Sequence, residues 1–283
     1  MSQKRIGIIG GSGLYEMEEL KIVEKVKLET PFGDPSDEFV LGQLSGREVV
    51  FLARHGRGHR ILPSEINYRA NIWGMKKLGV GQILSVSAVG SLKEEIAPGH
   101  LVFVDQFIDR TYRRIPTFFG ESVVAHVALA EPVCATMRAT LSKTSQKLKL
   151  TSHAQGTYIC IEGPQFSTKA ESNLYRSWNC DVIGMTNVTE AKLSREAQIC
   201  YATIALSTDY DCWHTEHESV TAVQVVKTLL ANVEKAKKLI VAVLPELSEE
   251  RTCPCSHAIR HAIVTDKLMR SQASKNRLKI IIG

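Results

Sequence analysis

Ile199-Cys200-Tyr201-Ala202-Thr203-Ile204-Ala205-Leu206 runs straight into Ser207-Thr208-Asp209-Tyr210-Asp211-Cys212-Trp213, and the rest of the chain can be ordered around this stretch. Its first half is almost wholly apolar, the pattern of a strand buried on both faces of a parallel sheet. Its second half places two aspartates two residues apart at the strand exit. In extended chain, residues i and i+2 point the same way. Two carboxylates on one face repel, so one tends to keep its proton near neutral pH. Such a pair can donate and accept a hydrogen bond together. A helix cap beside a solvated carboxylate has the same spacing, and the stretch alone does not separate the two readings.

Working outward, the same strand-then-polar-exit pattern repeats. Arg5-Ile6-Gly7-Ile8-Ile9 predicts a buried strand that ends in the tight loop Gly10-Gly11-Ser12-Gly13. The loop is neither a dinucleotide fingerprint nor a Walker A loop, because Glu16 and Tyr15 occupy the positions where those motifs need glycine. Glu48 to Ala53 predicts a strand ending in Arg54-His55-Gly56-Arg57, a concentrated positive site. Gln82 to Ala88 predicts a strand with Ser87 near its exit, and His100 to Gln106 another. Residues 107–125 read as a long loop. Thr157 to Ile161 and Cys180 to Thr186 complete the strands. Helices are expected from Ser64 to about Leu78, Glu131 to Leu150, Thr168 to Trp178, Thr189 to Gln198, and Val220 to Leu244, with Ala258 to Met269 a further candidate. This alternation predicts one α/β domain around a mostly parallel sheet.

The 283 residues are 44% hydrophobic, ordinary for a globular enzyme. No apolar run approaches the ~20 residues of a membrane span, and Met1-Ser2-Gln3-Lys4-Arg5 leads directly into a strand, so a cytoplasmic protein is expected. The net charge of +5 is concentrated after residue 249. A nucleic-acid binder would carry its basic excess on the fold; a solvated tail or a small anionic ligand fits better. Of the seven cysteines, Cys253-Pro254-Cys255 stands apart. C-x-C can form a strained, redox-active bond or lend two metal ligands. No second Cys/His pair of convincing spacing accompanies it, so no metal is expected.

The polar strand exits fall into two groups. Ser12, Arg54, His55, Ser87 and Thr186 offer hydroxyls and a guanidinium suited to bidentate phosphate binding. Asp209 and Asp211 form the carboxyl group of the other. Adenine presents N7 as acceptor beside a 6-amino donor, which a half-protonated carboxyl pair matches. Phe166 offers an apolar face. Phosphate on one side and adenine on the other suggest phosphorolysis of an adenine glycosidic bond.

Six stretches carry a resemblance: Gly7-Ile8-Ile9-Gly10-Gly11-Ser12-Gly13-Leu14, Leu52-Ala53-Arg54-His55-Gly56-Arg57, Asn67-Tyr68-Arg69-Ala70-Asn71-Ile72-Trp73, Asp105-Gln106-Phe107-Ile108-Asp109-Arg110-Thr111, Glu162-Gly163-Pro164-Gln165-Phe166-Ser167, and Thr208-Asp209-Tyr210-Asp211-Cys212-Trp213. Together they resemble the trimeric purine nucleoside phosphorylase superfamily, and within it the branch that cleaves 5′-methylthioadenosine. The resemblance implies a nucleoside phosphorylase-like single domain over 1–245, with a twisted, mixed, mostly parallel central sheet flanked by helices. Residues 246–283 would be a C-terminal extension. Ser12, Arg54, His55, Ser87, Ala88 and Thr186 would hold phosphate. Met185 would meet the ribose, and Phe166, Ser167, Asp209 and Asp211 the adenine. Val225, Val226 and His126 would line the 5′ end, His126 coming from a neighbouring subunit of a homotrimer or of a dimer of trimers. Asp209 would be the catalytic acid. Inorganic phosphate is then a co-substrate and no cofactor is implied.

This sequence departs from the animal enzymes' pattern. Ser12 and Ser87 replace threonines, Val86 a threonine, Gly184 an asparagine, Thr189 a proline and Gln165 an arginine. The C-x-C tail resembles that of thermophilic prokaryotic members and implies a Cys253–Cys255 disulfide.

Overall fold

The structure is a computed structural model describing residues 4–11, 14, 17–214 and 222–282, with side chains except at 222–227. Its centre is an 11-stranded sheet whose main path runs β2-β3-β4-β1-β5-β10-β9-β7. In chain order the strands are β1 (Arg5–Gly10), β2 (Lys21–Val26), β3 (Phe39–Leu44), β4 (Arg47–Ala53), β5 (Val80–Ser91), β6 (Leu101–Val102), β7 (Gln106–Arg110), β8 (Ser152–His153), β9 (Thr157–Ile161), β10 (Val182–Gly184) and β11 (Cys200–Asp209). The helices are α1 (Tyr68–Lys77), α2 (Ala135–Lys147), α3 (Lys169–Ser177), α4 (Asn187–Glu196), α5 (Ala222–Val243) and α6 (Gln272–Ile282). Pairing is parallel for β1 with β4 and β5, β5 with β11, and β9 with β7 and β10, and antiparallel along β2-β3-β4 and between β5 and β10. The expected mixed, mostly parallel sheet is therefore what forms.

The inner strands β1, β4, β5 and β11 are buried on both faces, as the apolar runs implied. Alternate residues leave each strand on opposite sides. Ile6, Ile8, Val49, Phe51, Leu84, Val86, Ala202 and Ile204 join one core with Met137 and Leu141 of α2 and Leu239 and Ile240 of α5. Ile9, Val50, Leu52, Ile83, Ile199 and Tyr201 join the other, with Ile72 of α1, Leu193 of α4 and Leu278 of α6. β5 is the longest strand and hydrogen-bonds to β1, β11 and β10 along its length.

Several expected boundaries shift for local reasons. α1 begins at Tyr68, capped by the Asn67 side chain accepting from Ala70 N–H, rather than at Ser64. Asparagine there satisfies one of the helix's free N–H groups. Residues 106–110 form β7, paired with β9, inside the expected long loop. α2 is shorter than the 131–150 expected, and α4 starts two residues earlier than Thr189. β2 and β3 form in segments for which no strand was expected. The expected helix over 258–269 does not form; the extension instead has 3-10 turns at Pro254–His257 and Lys267–Met269, then α6.

The extension is not a solvated tail. Cys255, Ile259, Ala262, Leu278 and Ile281 are all buried, and Arg251 Nη1 donates to Gly81 O at 3.1 Å and Gln198 O at 2.8 Å. α6 completes the core over α1, because burying its apolar stripe removes surface that α1 would otherwise expose. No described helix is long and apolar enough to cross a membrane.

Candidate active site

In open α/β sheets ligands bind beyond the C-terminal ends of the strands, and Arg54, His55, Thr186 and Asp209 lie at such exits. The parallel register sets Gly10 beside Ala53, so the loop after β1 and the exit of β4 are neighbours, and Arg54 N–H donates to Gly10 O at 2.9 Å. On the other side of β5, Ser87 lies opposite Ala205 and Gly90 opposite Asp209. Ser12 and the side chains of Val225 and Val226 lie outside the described residues.

Arg54 is buried, and its guanidinium fork is already engaged. Nε donates to Glu190 Oε1 at 2.5 Å, Nη2 to Glu190 Oε2 at 3.2 Å and Ser85 Oγ at 2.6 Å, and Nη1 to Val86 O at 2.8 Å. In the structure the bidentate partner of this guanidinium is Glu190. Among the described residues one Nη1 N–H has no partner, since a guanidinium has five donors. Burial alone would lower the Arg54 pKa, but Glu190 more than offsets it, so the group stays charged.

Glu190 also accepts from Ser85 Oγ at 2.7 Å and Tyr201 OH at 2.9 Å. Asn187 Nδ2 donates to Ser85 Oγ and Tyr201 OH, both at 2.8 Å, while Asn187 Oδ1 accepts from Ser87 Oγ at 2.5 Å. Ser87 is thus held by the same network as Arg54. Glu190, Ser85, Asn187 and Tyr201 were not among the expected site residues. For Ser85 and Tyr201 the signal was present as polar residues two apart in buried apolar strands, Ser85 with Ser87 and Tyr201 with Thr203; Asn187 and Glu190, on α4, carried no such pattern.

Thr186 is buried at the N-terminus of α4, where its own N–H donates to Tyr158 OH at 3.4 Å. Free N–H groups at a helix start favour an anion. Ala88 is half-buried on β5. His55 Nδ1 lies 2.8 Å from Ile61 O, which makes it the protonated nitrogen of a neutral ring. Burial, then the charge of Arg54, pushes the His55 pKa down to about 4. His55 therefore stays neutral through the physiological range, and its Nε2 has no hydrogen-bond partner among the described residues. The Gly184 that replaces asparagine has a packing reason. A Cβ there would lie 2.1 Å from Tyr158 OH, so glycine admits the tyrosine that holds Thr186. Met185 follows directly and is half-buried.

The carboxyl pair forms by a different route from the one expected. β11 carries a bulge between Ser207 and Asp209, and Asp211 already belongs to the following turn. Both still converge on Gly90, where a Cβ would sit 3.1 Å from Asp209 Oδ2 and 3.4 Å from Asp211 Cβ. The Asp209 pKa rises to about 6, mainly through burial; the Thr208 hydroxyl opposes this from 2.6 Å, and the Asp211 charge adds a smaller push upward. Desolvation, not like-charge repulsion, is the leading cause. Burial also raises Asp211, partly opposed by the nearby Ser172 hydroxyl and Cys212 N–H. Neither Asp211 Oδ2 nor Ser172 Oγ completes a hydrogen bond of normal geometry among the described residues.

Ser167 joins this end through its carbonyl, which accepts from Cys212 Sγ at 3.3 Å, and its buried Oγ also has no partner among the described residues. Phe166 beside it is 65% exposed, an apolar ring open to a planar ligand. His126 stands apart. It is exposed, its backbone N–H donates to Ala262 O at 2.8 Å, and it makes no hydrogen bond to the site among the described residues.

The arrangement pairs an anion-compatible end with an end that can donate and accept toward a heteroaromatic base. A chain from Geobacter sulfurreducens called S-methyl-5′-thioadenosine phosphorylase is 59% identical over 279 residues, 98% of each chain. One of the same name from Koribacter versatilis is 57% identical, covering 99% of this chain and 96% of its own. Among solved structures, a methylthioadenosine phosphorylase sourced from an antarctic soil metagenomic library superposes with a TM-score of 0.95 at 47% identity, covering 100% of both chains. The profile of the Phosphorylase superfamily matches residues 5–245. With that match, full-length identity well above the level at which folds are shared, and the sheet described above, this chain belongs to the phosphorylase superfamily.

Proposed function

We propose that the protein cleaves S-methyl-5′-thioadenosine with inorganic phosphate, giving adenine and 5-methylthioribose 1-phosphate, a step of purine and methionine salvage. The relatives that match it along its whole length carry this reaction in their names. The observation that carries the reading of the base is Asp209, a buried carboxyl raised to about 6 at a strand exit. A carboxyl poised there exchanges a proton readily near neutral pH.

In this reading the C1′–N9 bond loosens toward an oxocarbenium-like state. Asp209 donates its proton, or a hydrogen bond, to N7 as negative charge builds on the departing purine. Asp211 Oδ2 and Ser167 Oγ, both buried without partners among the described residues, complete the base edge. Phosphate attacks the opposite face of C1′, which inverts that centre. It is held by the Ser12 loop, the start of α4, Ser87 and Thr186, with His55 Nε2 accepting from a protonated phosphate oxygen. The Arg54–Glu190 pair positions Ser85 and, through Asn187, Ser87; Arg54 offers phosphate its remaining N–H. Fixed dipoles aimed at developing charge are where enzymes gain most. No step calls for a metal or organic cofactor. Met185 meets the ribose, and Val225, Val226 and a neighbouring subunit's copy of His126 close the 5′ end in a cytoplasmic homotrimer. The exposed position of His126 supports that last assignment.

A 6-oxopurine or methylthioinosine phosphorylase would need an asparagine-type reader in place of Asp209. Turnover of methylthioadenosine, adenosine, methylthioinosine, inosine and guanosine, with and without phosphate, tests the proposal. Methylthioadenosine should be fastest and strictly phosphate-dependent. Faster cleavage of a 6-oxo substrate would overturn it.

A further inference from the structure

The fold brings together cysteines that are far apart in sequence. Cys134 precedes α2, Cys200 opens β11, and Cys253 and Cys255 lie on the first turn of the C-terminal extension. Their four Sγ atoms all lie within 4.8 Å of one another. Cys253 Sγ is 3.8 Å from Cys134 Sγ and 3.3 Å from Cys200 Sγ. The missing second pair of ligands for the C-x-C motif is therefore supplied by Cys134 and Cys200, which corrects the expectation drawn from spacing. All seven cysteines are free thiols in the structure, so the expected Cys253–Cys255 bond is not formed.

We propose that Cys134, Cys200, Cys253 and Cys255 form a tetrathiolate Zn2+ site that staples the C-terminal extension to the sheet. Four thiolates at the ~2.3 Å Zn–S distance of a tetrahedral site stand ~3.8 Å apart, close to the spacing already present. Soft sulfur ligands in a closed, tetrahedral set select zinc over hard cations. On binding, each thiol gives its proton to solvent and its sulfur becomes a ligand. Four thiolates around one Zn2+ leave two negative charges. Arg195, itself buried, directs Nη1 at Cys255 Sγ from 3.5 Å and meets part of that charge, as partners around metal ligands do. With every ligand from protein and three of the four cysteines buried, the site is structural, with no open position for substrate.

The staple reaches the segment that bears His126. The extension it anchors receives His126 N–H at Ala262 O, sends Val264 N–H to Val124 O, and accepts Val124 N–H at Thr265 Oγ1. Loss of the metal would loosen residues 120–126 together with 253–282.

The test uses the full chain purified under reductant without chelator. Metal analysis should find about one zinc per chain. A mercurial that titrates thiols should release it stoichiometrically, while Cys253→Ser and Cys255→Ser should lose it and Cys180→Ser retain it. Because a serine variant could misfold, the parent chain is also stripped and refilled with Co2+. Intense tetrahedral d–d bands with thiolate-to-cobalt charge transfer should then appear, and hydrogen exchange in 253–282 and 120–126 should slow on refilling. Zinc below a tenth of an equivalent as purified together with no cobalt taken up on refilling, iron in its place, or two disulfides among these four residues in freshly purified protein would each overturn the proposal.

Discussion

Replacing Asp209 by asparagine should make the protein more stable and much less active, and the two effects should part with pH. The side chain keeps its shape, and the amide oxygen can still accept from the Thr208 hydroxyl, now 2.6 Å from Asp209 Oδ1. What is removed is a carboxyl whose charged form is penalised chiefly by burial, moving its pKa from 3.8 to about 6. At ~1.4 kcal/mol per pKa unit, that displacement corresponds to about 3 kcal/mol. The sign follows from linkage. Below the unfolded value the carboxyl is protonated in both states and nothing is lost. Between 3.8 and about 6 the unfolded chain ionises first, so the parent loses stability progressively, and above 6 the loss is complete. Asp209→Asn should therefore match the parent near pH 4 and exceed it by up to about 3 kcal/mol at pH 7 to 8. Denaturant unfolding at four pH values reads this directly. Turnover of methylthioadenosine should fall by roughly 10²- to 10⁴-fold, as expected for a lost general acid, and the preference should move toward 6-oxo substrates, whose oxygen the amide can meet. An asparagine variant with no pH-dependent gain would mean that burial does not penalise this carboxyl. One with parental activity and selectivity would mean that Asp209 does not read the base.

Glu190→Gln should be far more damaging than its isosteric change suggests. It leaves the buried Arg54 charge without its ion-pair partner, a loss of about 3–5 kcal/mol for comparable pairs, read as a fall in thermal midpoint with a rise in the KM for phosphate. Gly184→Asn, which reinstates the animal residue, should destabilise by about 1–3 kcal/mol through overpacking, because its Cβ would overlap the Tyr158 hydroxyl; a fully stable variant would show that Tyr158 is free to move. Ending the chain at residue 269 should yield an aggregating or inactive protein. It strips the fully buried Leu278 and Ile281 from the core over α1, each worth about 1.5–3 kcal/mol of burial, and a soluble, fully active truncation would refute that account.

The strand exits show how much of the site was legible beforehand. A run such as Ile199 to Leu206, too short for a typical buried helix, reads as a doubly buried strand, and polar residues placed at its end mark the ligand side of the sheet. This depends on short-range periodicity alone, so Arg54, Ser87, Thr186, Asp209 and Asp211 could be picked out and are found at that end. Boundaries were less legible. Ser64 and Asn67 are both good caps in sequence, and only packing of α1 against the sheet chooses Asn67.

By itself, then, the sequence determined the class of fold, which end of the sheet collects the polar side chains, and their chemical types, because hydrophobic period and strand-end polarity are local properties. Only the tertiary structure decided who meets whom. Arg54 is spent on Glu190 rather than left open, since a buried guanidinium takes the nearest buried carboxylate and that neighbour lies 136 residues away. Asp209 owes its raised pKa mainly to burial and less to Asp211, because a bulge and a turn separate the pair that an ideal strand would align. The basic tail became core, and four scattered cysteines became one cluster, because long-range packing brings distant segments together without leaving a trace in their spacing.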